Sequence, residues 1–123
     1  MKVMLIGSGG REHALAWKLS QDTTVEHIYC VPGNPGIAMV PKCENIALDT
    51  GDLNGLADFA EQNQVELTVV GPEAPLVAGI SDVFESRYLA VFGPSKLAAQ
   101  LEGSKSFSKE LMHKYGIPTA AFK

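Results

Sequence analysis

Residues 3–12 read VMLIGSGGRE, a run of four apolar residues that passes directly into a glycine-rich turn. A short, continuously apolar run is typical of a strand that is buried on both faces of a parallel sheet. The next segment, residues 13–20, has the composition of a helix. A buried strand, a glycine turn and a helix in this order predict the first unit of an α/β fold.

The same alternation continues along the rest of the chain. Four further strands are predicted at residues 25–31, 44–48, 67–70 and 89–92, and further helices at residues 53–63 (capped by Asp52), 76–86, 95–102 and 104–115. Alternating strands and helices imply parallel pairing and right-handed crossovers. We therefore predict a doubly wound, mostly parallel five-stranded sheet. A strand order of 3-2-1-4-5 would place a ligand crevice between strands one and four.

Composition and charge narrow the class of protein. The chain has 123 residues, 46% of them hydrophobic and 20% charged, which is ordinary for one globular domain. Its formal net charge of −4 argues against nucleic acid or an anionic membrane as the main partner, although one basic spot can still hold a phosphate. The first apolar run is too short for a signal peptide or a membrane span, so we expect a cytoplasmic protein.

The two cysteines, Cys30 and Cys43, do not have the spacing of metal ligands. We expect them to be buried or inert thiols in a reducing compartment, with a disulfide as the alternative. Trp17 is expected in the core, and a lone histidine such as His13 is more often structural than catalytic. His27 has no visible partner in the sequence.

The glycine turn partly matches the GxGxxG fingerprint of dinucleotide-binding folds. The third glycine would fall at position 12, where this chain has Glu12, and no acidic residue follows the second strand, which ends in residues 31–33, VPG. Both departures argue against a nicotinamide or flavin site. An oxidoreductase with an incomplete dinucleotide-binding fingerprint stays an alternative. Micromolar binding of a nicotinamide cofactor would support it.

The same turn is suited to an anion. Gly9 and Gly10 let backbone N–H groups approach a ligand closely, and the following helix adds a partial positive charge at its N-terminus. Arg11 adds a guanidinium that matches phosphate oxygens. These groups together reach about the −4 kcal/mol of a millimolar site. The alternative is a tight turn between strand and helix with a solvated Arg11.

Two other loops are expected at the same edge of the sheet. Residues 71–75, GPEAP, form a rigid loop, in which Glu73 would accept hydrogen bonds from a sugar or an amine, or else favour the dipole of the next helix. Residues 33–36, GNPG, form a second wall of the site or a simple turn. The carboxyl ends of parallel strands share one edge, so loops 7–12 and 71–75 would face each other.

Four blocks of the sequence together resemble one family, the phosphoribosylamine–glycine ligases, also called glycinamide ribonucleotide synthetases. The blocks are GSGGREHAL (residues 7–15), PGNPG (32–36), VGPEAPL (70–76) and LEGSK (101–105). One such block would be weak, but four in this order over nearly the whole chain are specific. The segment from the last block to residue 119 is also similar to the lead-in of an ATP-grasp domain.

The resemblance implies an enzyme that joins 5-phosphoribosylamine and glycine, with ATP hydrolysed to ADP and phosphate, in purine biosynthesis. The glycine carboxylate would be activated as an acyl phosphate, which the sugar amine attacks. Residues 1–103 would be a Rossmann-like, pre-ATP-grasp domain that binds the phosphoribosyl substrate, and residues 104–123 a linker helix and the start of an ATP-grasp domain. The implied substrate-binding residues are Gly9, Gly10, Arg11, Glu12, Asn34, Gly71, Pro72 and Glu73, and Lys105 would approach the nucleotide phosphates.

Chains of this family continue far beyond position 123, and their ATP-grasp region carries the metal carboxylates and most of the nucleotide pocket. We therefore expect this chain to be an N-terminal fragment that works with the rest of its own enzyme. It would hold no catalytic or metal-binding residue, and ATP with Mg²⁺ or Mn²⁺ would bind only to the full-length enzyme. The alternative is a standalone sugar-phosphate or nucleotide-binding module, which a packed C-terminal end would favour.

Overall fold

A computed structural model describes residues 1–93, and these residues form an alternating α/β chain. The elements are β1 (Lys2–Gly7), α1 (Gly10–Ser20), β2 (His27–Pro32), α2 (Pro35–Ala38), β3 (Cys43–Asn45), α3 (Leu53–Gln62), β4 (Leu67–Val70), α4 (Glu73–Val77), α5 (Ile80–Ser86) and β5 (Ala90–Phe92). The helices predicted at residues 95–102 and 104–115 lie outside the described residues.

The five strands form one parallel sheet in the order β3-β2-β1-β4-β5. β1 is central, and its Ile6 is paired with Val31 on one side and with Val70 on the other. The predicted fold class is thus confirmed, and the strand order is the one that opens a crevice between β1 and β4. That position is where ligands bind in open α/β sheets.

Both faces of the sheet are covered by helices, as the apolar run of β1 predicts. Val3 and Leu5 pack on one face with Leu15, Ala16 and Leu19 of α1. The alternate β1 side chains face the opposite core, which contains residues of α3 and α5. Because successive strand residues point to opposite faces, a strand between two helical layers must be apolar at every position.

Two expectations about the helices are wrong. The single helix predicted at residues 76–86 is two helices, α4 and α5, because Gly79 between them has a φ of +99°, a left-handed conformation that ends α4. Trp17 was expected in the core, yet it is 54% exposed. The buried stripe of α1 runs through Leu15, Ala16 and Leu19, and position 17 lies outside that stripe.

Other elements keep close to their predicted positions. Asp52 caps α3 as expected, with its Oδ1 accepting the N–H of Gly55 at 3.0 Å. β3 is shorter than the predicted strand at residues 44–48. Within residues 1–93, none of the helices is long and apolar enough to cross a bilayer.

Candidate functional site

The loops that follow β1 and β4 meet at the crevice between these strands. The N–H of Gly71, the first residue after β4, donates to the carbonyl of Ile6 at 2.8 Å. The two chains therefore leave the sheet side by side, and loops 7–12 and 71–75 face each other as the sequence predicts.

Glu12 fills the space between these two loops. It is only 7% exposed, and its Oε1 accepts the N–H of Gly9 at 2.9 Å. A Cβ atom placed on Gly71 would lie 2.6 Å from the Glu12 carboxyl carbon, and one on Gly7 would overlap the same side chain. The two glycines thus make room for the carboxylate, which stands where the dinucleotide fingerprint has its third glycine.

Arg11 joins the two loops from the solvent side. Its Nη2 donates to the carbonyl of Gly71 at 2.8 Å, and its Nε lies 3.5 Å from Oε2 of Glu12. The side chain as a whole is still 63% exposed, so a ligand can reach it from solvent. Arg11 is therefore held in place while retaining N–H groups for a ligand, since a guanidinium carries five of them.

Helix α1 starts at Gly10, with Gly9 in the N-cap position. The first N–H groups of a helix have no intrahelical partner, which leaves those of Gly10 and Arg11 open to an anion. A Cβ on Gly10 would meet nothing within 4 Å, so the approach to this end of the helix is unobstructed. The N–H of Gly9 differs from the expectation, because it donates to Glu12 and not outward.

The loop after β2 forms a wall beside the glycine turn. Asn34 caps the short helix α2, its Oδ1 accepting the N–H of Ile37 at 2.8 Å, while its Nδ2 donates to the carbonyl of Ser8 at 2.7 Å. The side chain of Asn45 donates to the Asn34 carbonyl at 2.9 Å. The segment was expected to be a wall or a turn. Asparagine is a typical N-cap residue and proline a typical first residue of a helix. The pair Asn34 and Pro35 was therefore a signal for α2 that the sequence analysis did not use.

His13 also lies between α1 and this wall. A Cβ on Gly36 would be 2.9 Å from Cε1 of the imidazole, so the absence of a side chain at Gly36 allows the ring to pack closely there. The ring is partly exposed. Its position on the α1–α2 contact agrees with a packing role.

Pro72, Glu73 and Lys105 are the remaining residues that the sequence predicts to bind the substrate or the nucleotide. Pro72 is the N-cap of α4 and Glu73 is its first residue, so both lie directly after the loop that meets Arg11. The structure describes the backbone of Glu73 alone, and its contact with a sugar or an amine stays a prediction. Lys105 lies outside the described residues.

The two cysteines are free and lie on neighbouring strands. The register pairs Ile28 with Cys43, which places Cys43 and Cys30 on the same face of the sheet. A hydrogen bond between the thiols lowers the pKa of Cys43, and the same bond together with burial raises the pKa of Cys30. Both thiols are free, as expected, and the reactivity of Cys43 stays a prediction.

His27 also has a partner that the sequence does not reveal. Its Nε2 lies 2.9 Å from Oε1 of Glu44 on the adjacent strand β3.

Within residues 1–93, no group of three or more His, Cys, Asp or Glu side chains could hold a metal ion. The groups that the described part of the site offers to an anion are backbone N–H groups and the guanidinium of Arg11.

Comparison with known proteins gives one consistent result. Residues 1–102 match the family model described as "Phosphoribosylglycinamide synthetase, N domain". The chain is 60% identical over 123 residues to a phosphoribosylamine–glycine ligase of Pseudomonas putida, covering 100% of this chain and 28% of that protein. It is 57% identical over 122 residues to the corresponding ligase of Clostridium acetobutylicum, covering 99% of this chain and 29% of the relative.

A solved structure of phosphoribosylamine–glycine ligase from Thermotoga maritima is 32% identical and aligns with a TM-score of 0.47, covering 100% of this chain and 27% of that one. The chain spans less than a third of the length of the Pseudomonas putida and Clostridium acetobutylicum ligases.

Proposed function

The chain belongs to the phosphoribosylglycinamide synthetase N-domain family, and from this premise we propose that it is the phosphoribosyl-binding part of a ligase. The proposed reaction joins 5-phosphoribosylamine and glycine, with ATP hydrolysis, in purine biosynthesis. The observation that carries the proposal is the end of α1, where the open N–H groups of Gly10 and Arg11 stand beside the guanidinium of Arg11.

The phosphate of the sugar would bind at the N-terminal end of α1. The N–H groups of Gly10 and Arg11 would donate to its oxygens, with the partial positive charge of the helix adding up to about 1–2 kcal/mol. The guanidinium of Arg11 would donate to a third oxygen, a charge-assisted bond of about 1.5–3 kcal/mol. Gly9 has no side chain to obstruct the approach, and the preformed arrangement of the loop favours this binding.

The sugar and its amine would extend from the phosphate towards the loop after β4. Gly71 and Pro72 would line this path, and Glu73 would accept hydrogen bonds from the ribose or the amine. Glycine, whose carboxylate the ligase activates, would approach from the open side of the crevice. Asn34 would support the opposite wall, since its amide groups hold the backbone of Ser8 and α2.

ATP is the cofactor that this proposal requires, with Mg²⁺ or Mn²⁺ as its metal. The described residues do not fit a metal site, because residues 1–93 contain no suitable ligand group. We propose that the nucleotide binds mainly to residues that the relatives carry beyond the matched segment, with Lys105 approaching its phosphates. We propose that residues 1–103 form the substrate-binding domain and that residues 104–123 form a linker helix and the start of an ATP-grasp domain.

A titration of the chain with ribose 5-phosphate tests the proposal. Removing the guanidinium by Arg11→Ala should weaken binding by at least about tenfold, which corresponds to the loss of about 1.5 kcal/mol. Lys18→Ala is the matched control, because Lys18 is an exposed cation in the last turn of the same helix. Equal affinity of the parent chain and Arg11→Ala for ribose 5-phosphate would refute the contact.

A further inference from the structure

Glu12 occupies a position that a phosphate-binding loop does not ordinarily give to a carboxylate. A negative charge beside an anion site opposes binding, yet Glu12 lies directly behind the glycine turn and is almost completely buried. Burying a charge costs free energy unless it is paired and hydrogen-bonded. Its partners, Gly9 and Arg11, are both part of the proposed phosphate site, so the carboxylate is tied to that site.

The first consequence concerns which N–H groups face a ligand. In dinucleotide-binding folds the second glycine lets the backbone approach a diphosphate, and the third lets helix and strand pack closely. Here Glu12 accepts the N–H of Gly9, and its side chain lies against Gly7 and Gly71, the residues at the ends of β1 and β4. The N–H groups that remain for an anion are those of the first turn of α1, beginning with Gly10 and Arg11.

The second consequence is electrostatic. A diphosphate spanning the glycine turn would place one of its two charged phosphates over Gly9, next to the buried carboxylate, where charges interact more strongly than in water. A terminal monophosphate at the helix end would keep to the side of Arg11. Glu12 and the Gly71 carbonyl both orient that guanidinium, so its positive charge favours a phosphate at the N-terminal end of α1.

We propose that Glu12 is a positioning and specificity residue, which makes the loop select a terminal phosphate monoester over an internal diphosphate. Glu12 does so through Gly9 and Arg11, without contact with the ligand. This inference rests on the proposed function and deepens it, because it assigns to one residue the choice between a sugar phosphate and a dinucleotide-like ligand.

Two ligands that share the same ribose 5-phosphate unit provide the test. Ribose 5-phosphate carries a terminal monoester, and in ADP-ribose the same phosphate is part of a diphosphate. The parent chain should bind ribose 5-phosphate at least about tenfold more tightly than ADP-ribose. Glu12→Gln keeps the length of the side chain and an acceptor for Gly9 but removes the charge, and it should reduce this ratio by about tenfold.

Glu12→Gly completes the GxGxxG pattern and should raise the affinity for ADP-ribose itself. Glu44→Gln is the matched control, since it removes an exposed carboxylate on β3 and should leave the ratio unchanged. If Glu12 had a purely structural role, its substitution would weaken the binding of both ligands equally. An unchanged ratio of the two affinities in Glu12→Gln therefore overturns the inference, even if Glu12→Gly does not fold.

The other outcomes are equally decisive. If the parent chain binds both ligands with the same affinity, the proposed selectivity of Glu12 is wrong, while the proposed phosphoribosyl site is not contradicted. A parent chain that binds no ribose 5-phosphate overturns the proposed function and this inference with it.

Discussion

The contact between Glu12 and Gly71 makes a quantitative prediction about stability. Gly71→Ala would place a methyl group 2.6 Å from the carboxyl carbon of Glu12, well inside van der Waals contact. The φ of Gly71 is not in the left-handed region, so the backbone itself accepts alanine. The cost should therefore come from overpacking, about 1–3 kcal/mol, or from displacing Glu12 and losing its bond to Gly9, which is of similar size.

Removing the carboxylate first should cancel that cost. In a Glu12→Ala background, Gly71→Ala should be neutral or should stabilise by about 0.4–1 kcal/mol, because alanine reduces the entropy of the unfolded chain. The double-mutant cycle then gives a coupling free energy of about 2 kcal/mol.

Urea unfolding of the four proteins measures this coupling, with the slope of each transition checked for two-state behaviour. In thermal unfolding the Gly71→Ala substitution should lower Tm by about 4 °C per kcal/mol. Gly10→Ala serves as a control for the replacement itself, since a Cβ there meets nothing within 4 Å. Effects of Gly71→Ala and Glu12→Ala that add within about 0.5 kcal/mol would refute the steric reasoning.

Two further predictions concern the wall of the site and the thiols. Asn34→Ala should destabilise the chain by about 1.5–2.5 kcal/mol, the sum of a lost N-cap and a lost hydrogen bond to Ser8; Asn34→Asp keeps the cap acceptor and should cost less in the same denaturation assay, and equal costs would contradict the assignment. Cys43 should be alkylated by iodoacetamide at a lower pH than an ordinary thiol, because its pKa is lowered by the hydrogen bond from Cys30. Cys30→Ala should move the pH profile of that alkylation upward, as followed by mass spectrometry, and an unmoved profile would show that the thiols do not interact.

Much of the fold follows from local patterns that the sequence states directly. The apolar run of β1, the alternation of strands with helices and the glycine turns determine an α/β sheet, and the strand at residues 67–70 is found at its predicted bounds. The break between α4 and α5 was missed because Val77 and Ile80 both fit one helical stripe. Gly79 ends α4 through its backbone conformation, which an apolar periodicity does not record.

The site was predictable in its location but not in its internal contacts. The glycine turn and Arg11 were identified from their residue types and spacing. The departure of Glu12 from the dinucleotide pattern was also visible, but its place between Gly7 and Gly71 depends on two strands that are distant in sequence. Partners such as Glu44 for His27 depend likewise on strand register, which a single sequence does not give.

The shortness of β3 has a consequence for how the protein behaves at high concentration. An outer strand offers unpaired N–H and C=O groups that another molecule can use as a template for aggregation. β3 has only three residues, Cys43–Asn45, and within residues 1–93 it lies at the end of the sheet. Pro41 shortly precedes it, and the charged Glu44 is exposed on it. This border of the sheet is thus poorly suited to intermolecular β-pairing, which protects the apolar strands behind it.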